Sequence, residues 1–559
     1  MLAARTWVIG ASLLALGAVG GGLLWQSREE RVKLATLETA HQIESAIEKG
    51  KVPDDAPWQD RRARALVKAF YTAREMRPAW TTGAGATEQA RQLADVLLRA
   101  REEGLESVDY SAAQIAARLE IHEQNGTENP QTLADFDVLC TIAALRYMSD
   151  VFDGRISPKS LDAKWVTEPR KGDLHAMLEE ALARGDVAKT LTSLPPTYDG
   201  YTKLREARAR YAKLVASGGW KPIPAGPALK VGAKGPRVTA LRERLTVTGE
   251  LDASASTGES FDETLATAVK RFQARYGRDE NGVIEATELA ELNVSAETRL
   301  RQIELNMERW RWLPRTLGDP HLIVNIPEYT LHIMKSGREE LEMRVVVGKV
   351  LNATPVFSDQ MTQVVVNPTW NVPESIAVGE IAPLMQKDAS YLSKQSMRVF
   401  DGQGDDAQEV DPASIDWSDS EAVKKLSFRQ DPGAHNALGR IKFLFPNQFN
   451  VYLHDTPQGH LFSREERSFS HGCVRVEKPL ELAEYVLQGT PEGDRERLEA
   501  LIAEGKTRTF KVPEPLPVHI VYFTAFADAD GTTGFREDVY GIDTDLGNQL
   551  RGHARELAK

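Results

Sequence analysis

The residues able to do chemistry gather in one window, FNVYLHDTPQGHLFSREERSFSHGCVRVEKPLELAEYVL (449–487). His454 ends a strand-like run, and Ser470-His471-Gly472-Cys473-Val474-Arg475 follows, with His471 17 residues after His454. An ionised cysteine is a strong nucleophile, and a nearby imidazole supplies or stabilises the thiolate. Gly472 lets the backbone turn tightly and approach a substrate. Backbone N–H groups at such a turn can face a developing oxyanion. Arg475 shares a strand face with Cys473, where it lowers the thiol pKa or holds a substrate carboxylate. Tyr452 shares a face with His454 and is a candidate pocket wall. Two other readings compete. His454, His471 and Cys473 as zinc ligands would need an H-x16-H-x-C spacing, without the usual C-x-x-C or H-x3-H pairs. A merely structural cysteine leaves polar Ser470, His471 and Arg475 on both faces of the run unexplained. Asp528 and Asp530 form a loose calcium pattern, but a hairpin turn accounts for them, with no carboxylate at the distal position.

These residues need elements to hold them. The chain has 559 residues, enough for three to four domains, with 42% hydrophobic and 27% charged residues, the balance of a globular protein. A net charge of −12 argues against a broad nucleic-acid surface. Two cysteines, Cys140 and Cys473, cannot make a disulfide framework. Thr6–Trp25 is uncharged and long enough to span a bilayer, so residues 1–33 read as a signal anchor, with a cleaved signal peptide as the rival. Residues 34–220 show helical periodicity, as in 63–76, 88–104 and 136–154, and Cys140 falls in the most apolar helix as core filler. A Gly/Pro-rich boundary at 216–228 precedes a compact unit, 229–295, with amphipathic helices at 235–245 and 261–277 and a third near Ala286. A bridging helix at 299–314 opens the last domain, 299–559, in which short β-rich runs dominate. The strand signal disappears between Ile381 and Gln430, and residues 382–428 are expected to be a helical and loop-rich lid beside the site. Asn367, Trp370 and Asn371 in NPTWNVP are candidate substrate contacts or turn residues.

SHGCVRV with a histidine 17 residues upstream resembles the signature of L,D-transpeptidases with a YkuD-type catalytic domain. MRVVVGKVLNATPVFSDQMTQVVVNPTWNVPESIA (343–377), RQDPGAHNALGRIKFLFPN (429–447) and PVHIVYFTAFADADGTTGFREDVYGID near the C-terminus resemble the large, YcbB-like branch. So do AFYTAREMRPAW (69–80) and LRYMSDVFDGRISP (145–158), while Phe526 stands where that branch often has Trp. The unit at 229–295 resembles the small three-helix peptidoglycan-binding domain, with Glu285 in place of its typical glycine. The resemblance implies a multidomain α+β protein: a helical scaffold region, a three-helix peptidoglycan-binding-like domain and a mostly β catalytic domain carrying a lid. It implies an enzyme on the periplasmic side of the inner membrane, anchored by its N-terminal helix, or free in the periplasm if that segment is cleaved. Cys473 would attack the third residue of a tetrapeptide stem, release D-Ala, and pass the acyl group to the side-chain amine of a second stem as a 3→3 cross-link. Water as acceptor would give carboxypeptidase activity, and attachment of a protein to the wall uses the same acyl-enzyme; a non-catalytic wall-binding protein is the remaining alternative, against which the intact Ser470–Arg475 motif argues. Such an enzyme is a carbapenem target. His454 is the candidate base, because it terminates the strand before the motif loop. His471, beside Gly472, orients the loop or contacts substrate, and Arg475, Ser470 and Tyr452 are substrate contacts. Acyl transfer needs neither cofactor nor metal. The expected partners are stem peptides and, through the N-terminal helix, the membrane; no nucleic acid is expected, and protein partners stay open.

Overall fold

The computed structural model describes residues 29–48, 58–125, 129–161, 165–166, 170, 172–402, 404, 406–528 and 530–557. The proposed anchor, Thr6–Trp25, lies outside them. Among the described residues no helix is long and apolar enough to cross a membrane.

The architecture is multidomain α+β, with helices in the N-terminal half and a mostly β domain after them. The central scaffold helix, Pro130–Asp153, starts where the Asn129 side chain accepts the Gln131 N–H at 2.8 Å, and ends at Gly154 with φ +91°. It is buried nearly all round, and Phe136, Cys140, Ala144 and Met148 pack against Phe70, Leu93, Leu97 and Leu178 of its neighbours. One carboxylate inside this core is fully bonded. Asp137 accepts from Tyr71 Oη at 2.7 Å, the Trp80 N–H at 2.7 Å and Thr81 Oγ1 at 2.8 Å. Cys140 is fully buried, and burial pushes its thiol pKa well up, as an inert core residue requires.

The three-helix unit forms on the faces its periodicity marks. Val238, Leu241, Leu245, Leu265, Val269 and Phe272 are all buried. Helix Glu263–Arg275 is capped by Asp262, which accepts the Leu265 N–H at 2.9 Å and pairs with Arg242 at 2.6 Å. The unit packs against its neighbours across the Gly/Pro boundary. Trp220 donates to Val294 O at 3.0 Å beneath the Arg244 guanidinium, and the hydrophobic core of the unit is continuous with Tyr201 and Tyr211 of helix Asp199–Ala216 and with Phe523 and Phe535 of the β domain. The bridging helix runs from Ala296 to Arg311, starting earlier than its sequence pattern suggests because Ser295 caps it.

The β domain is a closed ring of strands. In order, Ile441–Leu444, Leu453–His454, Val474–Val476, Arg338–Gly348, Thr330–Lys335, His321–Asn325, Arg508–Val521 and Val356–Val366 pair in turn, and the last pairs back onto the first. Closure leaves no open edge in this ring. Val345, Val347, Val364, Phe443, Leu453, Val474 and Val476 fill one core with Leu482 and Leu498 of the following helices.

The segment expected as a strandless lid at 382–428 is instead a folded subdomain with its own sheet. Strand Met397–Asp401 pairs with Gln408–Glu409 and with Leu426–Gln430, and the latter pairs with Trp370–Asn371. Ile381, Met385, Leu392, Val399, Val423 and Phe428 form its core, and Trp370 packs against it. The subdomain therefore begins before residue 382, at the strand holding Trp370.

Candidate active site

Strand register assembles the site. Leu453–His454 lies parallel to Val474–Val476, with Leu453 opposite Val474 and His454 opposite Arg475. The Val474 N–H donates to Tyr452 O at 3.2 Å. On the other side Lys442 lies opposite His454 and Phe443 opposite Leu453. Side chains alternate along each strand, so Lys442, Tyr452, His454, Cys473 and Arg475 project from one face while Phe443, Leu453, Val474 and Val476 fill the core behind. The Lys442 Nζ sits 3.7 Å from the Tyr452 ring centroid, and the Tyr452 and His454 rings meet edge to face at 5.7 Å.

The loop before Cys473 is fixed by hydroxyls. Gly472 has φ +116°, a conformation that favours glycine. Ser470 Oγ accepts the Gly472 N–H at 3.1 Å and donates to Cys473 O at 2.5 Å. Thr354 Oγ1 donates to Gly472 O at 2.9 Å and accepts the Gly348 N–H at 2.9 Å. Ser470 is thus buried in the turn and shapes it.

Cys473 is half-buried, with Sγ 3.9 Å from Asn450 O and the Tyr452 hydroxyl against it. Burial raises its pKa, while Tyr452 and then the charges of Lys442 and Arg475 oppose the rise. His454 is buried, and its pKa is lowered to about 3 by burial first and by Arg475 next. Its Nδ1 lies 2.6 Å from Asp455 O, a carbonyl that can only accept. Nδ1 therefore carries the proton and Nε2 holds a free lone pair. Arg475 donates to Gln458 Oε1 at 2.5 Å, and its buried Nε has no partner among the described residues.

His471 is placed elsewhere. It is exposed, and its Nε2 lies 2.7 Å from Glu380 Oε1 in the helical segment 374–387 of the inserted subdomain. His454, His471 and Cys473 do not converge as a ligand set. Asn367 also stays out of the site: it is fully buried with φ +49°, and its amide donates to the Leu501 and Ile502 carbonyls at 2.9 and 3.1 Å, holding the end of helix Arg495–Ala503. Trp370 and Asn371 form the edge strand of the inserted subdomain, and Asn371 is exposed. Asp528 and Asp530 shape a hairpin, with the Gly531 N–H on Asp528 O and the Thr532 N–H on Asp530 Oδ1. Two groups were missed from sequence. Lys442 was legible as the one charge in IKFLF, alternating away from buried Ile441 and Phe443. Glu380 carried no local signal, because only the fold brings it to His471.

Two family models match parts of the chain. Residues 65–207 match a scaffold domain family, and residues 319–492 match the L,D-transpeptidase catalytic domain. A curated relative from Haemophilus influenzae, named "Putative L,D-transpeptidase", is 36% identical over 255 residues, covering 45% of this chain and 50% of the relative. The chain thus spans about half the length of that relative. Among solved structures, an L,D-transpeptidase of Xylanimonas cellulosilytica (residues 123–326) is 16% identical with a TM-score of 0.16, over 54% of this chain and 100% of that one. One from Stackebrandtia nassauensis is 13% identical with a TM-score of 0.20, over 54% and 97%. Residues 319–492 thus match the L,D-transpeptidase catalytic domain, and residues 65–207 a scaffold domain.

Proposed function

We propose that the protein is a peptidoglycan L,D-transpeptidase that makes 3→3 cross-links through a thioester on Cys473. The observation that carries this reading is the single strand face presenting Cys473 with a tautomer-fixed His454 diagonally across from it. This chemistry requires the His454 Nε2 to reach the thiol proton, directly or through one water. The His454 Nε2 takes that proton, and the thiolate attacks the carbonyl of the third residue of a tetrapeptide stem. The carbon–nitrogen bond to D-Ala breaks, and the leaving amine takes the proton from His454. The side-chain amine of a second stem then attacks the thioester, passes a proton to His454, and the thiolate leaves and is reprotonated. Water in place of the amine gives L,D-carboxypeptidase action. With its imidazole on Glu380, His471 ties the motif loop to the inserted subdomain rather than acting as the base. The proposed location is the periplasmic side of the inner membrane, which the apolar N-terminal segment and the substrate class support.

The test is mass spectrometry of muropeptides after incubating the full chain with tetrapeptide-bearing fragments. Dimers joined through two third residues, with loss of D-Ala, are expected from the native chain and absent with Cys473→Ser. A carbapenem should add its mass at Cys473. Cross-linking that persists in Cys473→Ser would refute the nucleophile assignment, and tripeptides without dimers would favour the carboxypeptidase reading.

A further inference from the structure

The loop that carries Cys473 is held from behind by two hydroxyls, one of them from the far C-terminal part of the chain. Thr354 is buried, and its Oγ1 accepts the Gly348 N–H and donates to Gly472 O, both at 2.9 Å. An N–H only donates and a carbonyl only accepts, so the hydroxyl proton is committed to Gly472 O. Tyr540 repeats the arrangement one step back. Its hydroxyl accepts the Thr354 N–H at 3.3 Å and donates to Gly348 O at 2.7 Å. Tyr540 lies just before the C-terminal helix Ile542–Leu557 and stacks on buried Tyr522, whose hydroxyl accepts the Tyr540 N–H at 2.9 Å and donates to Asp538 Oδ1 at 2.7 Å.

This relay of fixed polarity ends on a peptide whose direction matters. Gly472 O and the Cys473 N–H belong to one planar unit and point opposite ways. With Gly472 O held by Thr354, the Cys473 N–H faces away from that wall, and it has no acceptor among the described residues. The Gly472 N–H is already taken by Ser470 Oγ. A Cβ on Gly472 would meet only Asn352 O at 3.6 Å and Ala353 O at 4.0 Å, so packing does not pin this peptide, and glycine leaves it free to rotate unless a hydrogen bond stops it.

We propose that Thr354 and, behind it, Tyr540 are positioning residues for acyl transfer: they hold the Gly472–Cys473 peptide so that the Cys473 N–H meets the oxyanion formed when the thiolate attacks. The proposal rests on the acyl-transfer reading above. As the carbon–sulfur bond forms, the carbonyl π electrons move to oxygen, and a donor already in place stabilises that charge without reorganising. The contact strengthens in the transition state, so it raises kcat rather than tightening donor binding.

The experiment sets two reactions of Cys473 against each other. Alkylation by iodoacetamide needs the thiolate but forms no oxyanion, whereas acylation by a carbapenem or a tetrapeptide needs both. Thr354→Val keeps the side-chain shape and removes the hydroxyl. It should slow carbapenem acylation and lower kcat on tetrapeptide about 100-fold, the loss of one oxyanion donor, with KM within about twofold. The rate and pH midpoint of alkylation should stay as in the native chain. Thr354→Ser should bring acylation back to within about threefold of native. Tyr540→Phe keeps the ring on Tyr522 and should slow acylation about tenfold with alkylation unchanged; it decides the matter if Thr354→Val does not fold. Acylation at the native rate in either folded variant overturns the proposal, as does a loss of alkylation that matches the loss of acylation. A native chain that takes the carbapenem but makes no cross-links overturns the transpeptidase reading alone, and acylation against alkylation then judges Thr354 and Tyr540. A native chain that does neither overturns both.

Discussion

Arg475 faces two groups whose ionisation it pushes in useful directions. It is the leading charge that keeps His454 neutral, and it ranks behind Lys442 among the charges that favour the Cys473 thiolate. Removing a cation beside a thiol destabilises the thiolate, so the pKa rises; removing one beside an imidazole relieves repulsion in the protonated form, so that pKa rises too. Lys442→Met should therefore shift the midpoint of Cys473 alkylation by iodoacetamide to higher pH, and by more than Arg475→Ala does. Arg475→Ala should instead raise the His454 pKa from about 3, moving the acid limb of turnover upward. A larger alkylation shift in Arg475→Ala would show that Arg475, not Lys442, serves the thiol. Most of this face was legible as period-two alternation around His454 and Cys473. Asn367 was not, because a short motif cannot say whether an amide faces a ligand or the carbonyls ending a distant helix.

The inserted subdomain shows where sequence patterning stops short. Its strands are brief and carry Arg398, Asp401, Glu409 and Arg429, so the alternation that marks a half-buried strand is diluted by charge. Its contact with the catalytic loop is the His471–Glu380 pair, exposed on both sides and therefore weak in stability. Glu380→Gln should leave Tm within about a degree while lowering turnover of large donors several-fold, if the pair sets loop position. Unchanged kcat and KM would remove His471 from that role. A different pair does bear on stability. On strand Thr330–Lys335, His332 lies 2.6 Å from Glu339 and 3.5 Å from Glu328. These hydrogen bonds lift its pKa to about 10 despite burial, while Glu328 is held down at about 2. The His332 contribution is full below the unfolded value near 6.5 and is lost as pH rises through about 10. The Glu328 contribution is present above its unfolded value near 4.5 and is lost as pH falls through about 2. His332→Gln should thus lower Tm at pH 6 and much less above pH 10. A deficit independent of pH would mean that packing, not charge, is what His332 provides.

Two hydrophobic cores meet on the bridging helix, and a buried charge ties it to the scaffold. Ile303, Met307 and Trp310 belong to the core of the three-helix unit, Leu305 and the following Trp312 to the β domain, and Glu308 reaches the scaffold. Glu308 is fully buried between Arg155, 3.3 Å away at the end of the scaffold helix, and Arg311 at 2.8 Å; it also accepts backbone N–H groups of Arg155 and Ile156. On the same helix Arg309 pairs with Asp543 of the C-terminal helix at 2.5 Å. The scaffold, the three-helix unit and the catalytic ring are therefore joined through buried polar contacts rather than strung on linkers, a coupling that composition and periodicity could not disclose because each partner is distant in sequence. Replacing Glu308 by Ala strands two buried guanidinium groups, at a cost of about 3–5 kcal/mol. Because that charge pair spans the scaffold and the catalytic ring, its loss should separate their unfolding. Calorimetry of the native chain should show one main transition, and Glu308→Ala should split it, with the scaffold unfolding first. Proteolysis in the temperature interval between the two transitions should cut the scaffold helices while the ring around Cys473 stays intact. A single transition displaced as a whole would mean that the apolar contacts of the bridging helix, Leu305 and Trp312 foremost, couple the domains without help from the buried charges.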